Sequence, residues 1–196
     1  MAPRQTDTYR VVREDQIEAM ASPVRLEILD AARVLGVCSV AELGDLLGRT
    51  PDSLYYHVGR LVDVGLLIAC GRRGTARRDE TLYKTPARRI RLPHDPSDER
   101  LTERRLKAFA ALLRLTERDH RRAFKAGLAK VRGPARNIIN GRIKGRLNQG
   151  ELREVHELVD RILAIFERTA GRQPDGRDLH AITIFLTPIE PRTRRR

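Results

Sequence analysis

Between Thr50 and Leu61 the chain reads TPDSLYYHVGRL, a stretch dense in groups that can recognise rather than react. Thr50 suits a helix N-cap and Pro51 the first helical position. On a helix drawn from Pro51, Leu54, Val58 and Leu61 share one side with His57 beside them. Asp52, Tyr56, Gly59 and Arg60 point the other way, and Ser53 and Tyr55 lie on the flanks. Arg60 can donate paired hydrogen bonds to guanine or to a phosphate, tyrosine hydroxyls can reach phosphates or bases, and Gly59 admits close backbone approach. That is the chemistry of a DNA groove, with Thr50, Ser53, Tyr55, Tyr56, His57 and Arg60 as candidate contacts. The competing reading is a solvated face packed on a partner domain.

A second cationic group follows. Arg72, Arg73, Arg77 and Arg78 bracket Gly74, and Lys84, Arg88, Arg89 and Arg91 lie downstream. So much positive charge on a loop suits phosphate contact or minor-groove insertion, although a solubilising loop tip has the same composition. Groups that could carry a reaction are missing. There is no Ser-His-Asp order, Gly-rich phosphate loop, HExxH or convergent acidic pair, so no enzyme and no catalytic residue is expected. Cys38 and Cys70 are far apart with no paired spacing, which argues against a disulfide framework and a zinc knuckle. They read as buried hydrophobes, and neither metal nor cofactor is expected. His120, a heptad step beyond Leu106 and Leu113, could respond to pH, bind metal or mark a helix break. His94, His156 and His180 are scattered.

Short capped helices must position the candidate contacts. Ser22 and Pro23 open a helix whose stripe of Val24, Leu26, Ile28, Leu29, Ala32 and Leu35 runs to Gly36. Ser39 to Glu42 forms a Ser-x-x-Glu capping box, Leu43, Leu46 and Leu47 follow, and Gly48 stops the second helix. The third begins at Thr50 and runs toward Gly65. The stretch LLIACGRRGTARRDETLYKT reads as an apolar run, a turn-rich tip at Gly71 to Gly74 and an alternation through Leu82 and Lys84 until Pro86, which predicts a hairpin. Three helices and a hairpin in this order make a winged helix-turn-helix.

The segment SPVRLEILDAARVLGVCSVAELGDLLGRTPDSLYYHVGRLVDVGLL resembles the ArsR-type winged-helix transcription regulators over roughly residues 17 to 92. The likeness lies in Ser-Pro-x-Arg, in Ala-Glu-Leu of the second helix, in YHVGRL of the reading helix and in the closing Gly-Leu-Leu. The resemblance implies that Ser53, Tyr55, Tyr56 and Arg60 face DNA and that Arg77 and Arg78 belong to the wing. It matches His57 to the family's helix histidine, in a packing or phosphate-contact role. Many relatives sense metals through paired cysteines or His and carboxylate clusters, and here the chain departs, because Cys38 and Cys70 each stand alone.

Over the whole chain, 196 residues with 40% apolar content and a formal net charge of +13 predict a folded protein whose first partner to test is nucleic acid. Residues 1–12 read as a flexible arm, 13–93 as the winged helix, 94–190 as a dimerisation and possible effector unit, and 191–196 as a basic tail. A long helix is expected from Glu99 to about Val131, with a break at TERDHRR and a stripe of Leu106, Phe109, Ala110, Leu113, Phe124, Leu128 and Val131. An amphipathic helix spans Leu152 to Phe166, and short strands at Arg142 to Leu147 and Ala181 to Thr187 could pair beneath it. From Arg100 to Arg146 there are fifteen Lys or Arg against three acids. That helix serves as a dimer seam, a DNA-flanking surface, or both.

The expected fold is therefore mainly α with small β: a winged helix-turn-helix, a long helix and a small α+β dimerisation unit. The expected function is sequence-specific DNA binding by a cytoplasmic homodimer that regulates transcription as a repressor at a pseudo-palindromic operator. Its partners are double-stranded DNA, a second copy and a possible small-molecule effector, with no membrane. The alternatives are an architectural binder without sequence preference and a protein-interaction module that uses the winged helix as an assembly surface.

Overall fold

A computed structural model describes residues 6–74, 79–92, 99–171, 176 and 178–190. In chain order the elements are β1 (Thr6–Arg10), α1 (Glu14–Met20), α2 (Pro23–Leu35), α3 (Val40–Leu47), α4 (Pro51–Asp63), β2 (Ile68–Gly74), β3 (Asp79–Lys84), β4 (Ala87–Arg91), α5 (Glu99–Lys125) and α6 (Gln149–Glu167). Among the described residues this is a mainly α chain with six helices and two small sheets.

Local chemistry sets the boundaries of α3 and α4. Ser39 and Glu42 form the expected reciprocal box: the Ser39 amide donates to the Glu42 carboxylate at 2.8 Å, and the Glu42 amide donates to Ser39 Oγ at 3.3 Å. Gly48 closes α3 in the left-handed region, at φ 63°, a conformation that costs glycine little. Pro51 opens α4 at its first turn, where the missing N–H costs nothing. Leu54, Val58 and Leu61 face inward and are buried, joining Leu26, Ile28 and Leu29 of α2 and Leu43 of α3 in one core. The closing Leu66 and Leu67 are buried as well, and their amides both donate to the Leu61 carbonyl.

An antiparallel hairpin, β2 with β3, follows α4, with Ile68 opposite Lys84 and Gly74 opposite Asp79. Cys38 and Tyr83 exchange backbone hydrogen bonds at 2.9 and 2.8 Å, so the chain entering α3 lies along the hairpin edge. Gly71 to Gly74, the expected loop tip with Arg72 and Arg73, belong instead to β2, whose pairing with β3 continues to Gly74; residues 75–78, Arg77 and Arg78 included, lie outside the described residues.

The N-terminal stretch departs from the flexible arm expected over residues 1–12. Residues 6–10 form β1, which pairs in parallel with β4, and Val11 is fully buried. Parallel pairing across some eighty residues of chain leaves no local signature, which is why neither strand shows in the sequence pattern. Helix α1 is also new. Its Gln16 is buried yet satisfied: the side-chain oxygen accepts from the Val12 and Arg13 amides, and the side-chain nitrogen donates to Tyr9 and to the Val64 carbonyl. The N-terminus is thereby tied to the end of α4.

The C-terminal half differs more. Helix α5 runs unbroken through TERDHRR and ends at Lys125, short of Val131. Thr116 satisfies its hydroxyl on the Leu112 carbonyl at 2.9 Å, and the Glu117–Arg121 pair bridges one turn, so the polar residues here are accommodated within the helix rather than interrupting it. Its buried face is Ala108, Ala111 and Leu115, packed on α1 and α2 within the same core, whereas Leu106, Phe109 and Leu113 of the expected stripe are 60, 40 and 43% exposed. Neither Arg142 to Leu147 nor Ala181 to Thr187 is a strand, and the two do not pair. β-Branched residues supply only a preference; a strand also needs a neighbour for its amides and carbonyls, and neither segment has one among the described residues.

Candidate nucleic-acid interface

The face of α4 opposite Leu54, Val58 and Leu61 is open. Tyr56 is 69% exposed and Tyr55 43%; Thr50, Ser53, Gly59 and Arg60 are exposed too. Ser53 Oγ donates to the Thr50 carbonyl at 2.7 Å, so Ser53 rather than Thr50 secures the first turn with its side chain. Arg60 lies 3.6 Å from Asp63, one turn on, an exposed pair that holds the guanidinium loosely. Tyr55 borders a hollow between the start of α3 and strand β3, shared with Val40 and Thr81.

His57 is half-buried between this face and the core. Its ring meets that of Tyr56 edge-on at 5.3 Å. Burial, then the nearby charges of Arg25 and Arg49, push its pKa below the usual histidine value. The imidazole is therefore held neutral at neutral pH, with cations on two sides.

Arg25 and Arg49 are the residues that reasoning from the sequence missed. Arg25, on α2, donates to the Ala19 carbonyl at 2.5 Å. Burial first of all lowers its pKa, and the charge of Arg60 acts in the same direction, so the two cations share one field beside Tyr56. The Ser-Pro-x-Arg signal contained it, but only the packing of α2 against α4 brings it to this face. Arg49, in the turn before α4, reaches Glu27 of α2 at 3.2 Å. Glu27 is a buried carboxylate that also contacts Arg118 at 2.6 Å and Arg122 at 3.6 Å, both on α5. One acid thus clasps the turn of the reading unit to the long helix.

The hairpin arginines have separate surroundings. Arg72 is 72% exposed and only 3.9 Å from Asp79 across the ladder. Arg73 is held by Glu42 at 3.0 Å and Glu80 at 3.3 Å, and its hydrogen bond to Glu42 is the first cause of its raised pKa. Its guanidinium braces the hairpin against the N-terminus of α3. Arg89 is likewise engaged, with Glu167 at 2.5 Å and Asp160 at 3.2 Å on α6.

Cys38 is buried, its thiol pushed up to about 12 by desolvation, and Cys70 is exposed on β2, against the expectation that both are buried. Among the described residues no group of three His, Cys, Asp or Glu side chains is placed to hold a metal ion. No helix among them is long and apolar enough to cross a membrane.

Residues 20–68, a quarter of the chain, match the family model of a helix-turn-helix domain. The match spans α2, α3 and α4, the elements that build the exposed Tyr56 and Arg60 face. No curated protein matches the chain. A helix-turn-helix domain points to DNA as the partner and to regulation of transcription.

Proposed function

We propose that the chain is a sequence-specific regulator of transcription of the ArsR-like winged-helix kind, with α4 as the reading helix and the β2–β3 hairpin as the wing. The observation that carries this reading is the division of α4: a buried Leu54, Val58 and Leu61 face and an open face bearing Tyr55, Tyr56 and Arg60. An exposed guanidinium in the last turn of α4, one turn beyond the exposed phenol of Tyr56, is matched to base edges and flanking phosphates. Arg25 adds a second cation beside it, and Arg72 supplies a phosphate contact from the hairpin.

The protein acts in the cytoplasm as a homodimer, presenting two α4 helices to half-sites about one helical turn, roughly 34 Å, apart. It carries out no chemistry. It represses by occupying a promoter, and an effector acts by changing the spacing of the two reading helices. The Glu27 clasp between the turn and α5 gives such a change a physical route.

The test is selection of bound fragments from genomic DNA, followed by affinity at several salt concentrations. Enrichment of a pseudo-palindromic motif and a steep negative slope of log affinity on log salt are expected. A steep slope without a motif would identify an architectural binder, and absence of any slope would leave an assembly module.

A further inference from the structure

The C-terminal half contains two segments outside helix and strand, and a helix, with unmet physical needs. From Ile139 to Leu147 residues alternate: Ile139, Ile143 and Leu147 on one side, Arg142, Lys144 and Arg146 on the other. Ile139 and Ile143 are 88 and 96% exposed. The segment leaves a fixed point, because the Lys130 amide donates to Asn137 Oδ1 at 2.8 Å and the Asn137 amide to the Lys130 carbonyl at 3.0 Å. Beyond that clasp neither it nor residues 179–189 exchanges a backbone hydrogen bond with any described residue of the chain.

Residues 179–189 already lie along α5 on one face: Thr183 Oγ1 is 2.9 Å from Thr116 Oγ1, and Phe185 meets Phe109 edge-on at 4.7 Å. Their other face, Ile182, Ile184 and Leu186, is open. A β-branched run that is apolar on both faces is the pattern of a strand inside a sheet, not of a free edge. Helix α6 repeats the theme, since it is amphipathic and buries none of its residues.

Charge identifies the occupant. From residue 130 to 146 there are six cations and no acid, and none of the six forms an ion pair among the described residues. Glu154 and Glu157 on α6 are equally unpaired, while the far end of α6 is held to β4 through Asp160 and Glu167. Two acids and an uncharged β-branched run that could meet this basic segment are thus present on the same chain but do not meet it within one copy. Self-pairing of 139–147 about a twofold axis would oppose Arg142, Lys144 and Arg146 with their own kind, which destabilises a ladder. Residues 179–189 carry no Lys, Arg, Asp or Glu and can accept a basic strand without that cost.

We infer that a second copy of the chain completes this half by strand exchange: residues 139–147 of one copy pair with residues 179–187 of the other, and the two α6 helices cover the resulting sheet. This rests on the homodimer of the proposed function and specifies how it is built. Pro188 ends the pairing, since it has no N–H to give.

The experiment is amide hydrogen exchange by mass spectrometry on the full chain, with sedimentation at the same concentrations, for the wild type and Ile143→Asp. The wild type is expected to sediment as a dimer with amides of 139–147 and 179–187 protected at least 100-fold over unstructured peptide. Ile143→Asp should lose that protection and sediment as a monomer while α2–α4 amides stay slow, which separates loss of pairing from loss of folding. A dimer whose two segments exchange freely would overturn strand exchange and leave the homodimer standing; a wild-type monomer would overturn both. Protection that appears only on adding a DNA duplex would overturn it too, assigning the basic face to phosphate.

Discussion

The two cysteines of this chain have opposite environments. Cys38 is enclosed where the chain enters α3, its thiol driven far from ionisation by burial, whereas Cys70 lies open on β2. Because thiolate is the nucleophile, an aromatic disulfide reagent at pH 8 should modify one thiol rapidly and the second only on unfolding. Substituting Cys70→Ser should remove the fast phase; two fast phases would contradict the packing at Cys38. His57 gives a pH prediction of definite sign. Its folded pKa lies below the unfolded value, so the unfolded chain takes up the proton more readily. Its contribution to stability is whole above about pH 6.5 and is lost as pH falls through the lower folded value. The thermal midpoint of the wild type should therefore drop more between pH 7 and pH 5 than that of His57→Gln; equal drops would contradict it. Tyr56, Arg60 and the buried Leu54, Val58 and Leu61 were legible in the sequence because one helical period fixes them all. Arg25 and the Glu27 clasp were not, since each depends on which helices meet.

The tight approach of α3 to α4 depends on Gly44 in the middle of a helix. A Cβ there would stand 2.7 Å from the Arg49 carbonyl oxygen, with Pro51 just beyond, and the Arg49 amide already donates to the Gly44 carbonyl at 2.9 Å. A rigid backbone atom cannot step aside as a side-chain end can. Gly44→Ala is expected to destabilise by about 1–3 kcal/mol, read from urea unfolding, in spite of the better helix propensity of alanine. A stabilised variant would contradict the close turn. Capped and punctuated helices, α2 to α4, stood in the sequence where the structure has them, because caps, prolines and glycines act on their own neighbours; the hairpin stood there too, but its strand β2 runs on through the expected Gly71 to Gly74 tip. The elements that did not were decided at a distance. β1 needs β4, and α5 has two apolar sides of which the alanine-rich one is buried in the core, while the other stays largely exposed although Phe109 meets Phe185. The large residues of the other side had suggested the stripe.

Over the whole molecule, charge and apolar surface divide along the chain. The core gathers α1 to α4 with one face of α5, while Leu106, Leu113, Leu128, Leu158 and Ile165 remain exposed. A net charge of +13 makes attraction to any polyanion expected, so affinity alone says little about the reading face. Specificity is the quantity that tests the proposed reading role of α4. It is best measured as the ratio of affinities for a duplex selected from the genome and a scrambled duplex of equal length, at one salt concentration, for the wild type and Arg60→Ala. Loss of a paired guanine contact costs about 1–3 kcal/mol, so the ratio is expected to fall roughly ten- to hundredfold while affinity for the scrambled duplex changes little. An unchanged ratio in Arg60→Ala and in Tyr56→Ala, with both variants folded, would contradict recognition of DNA by this face.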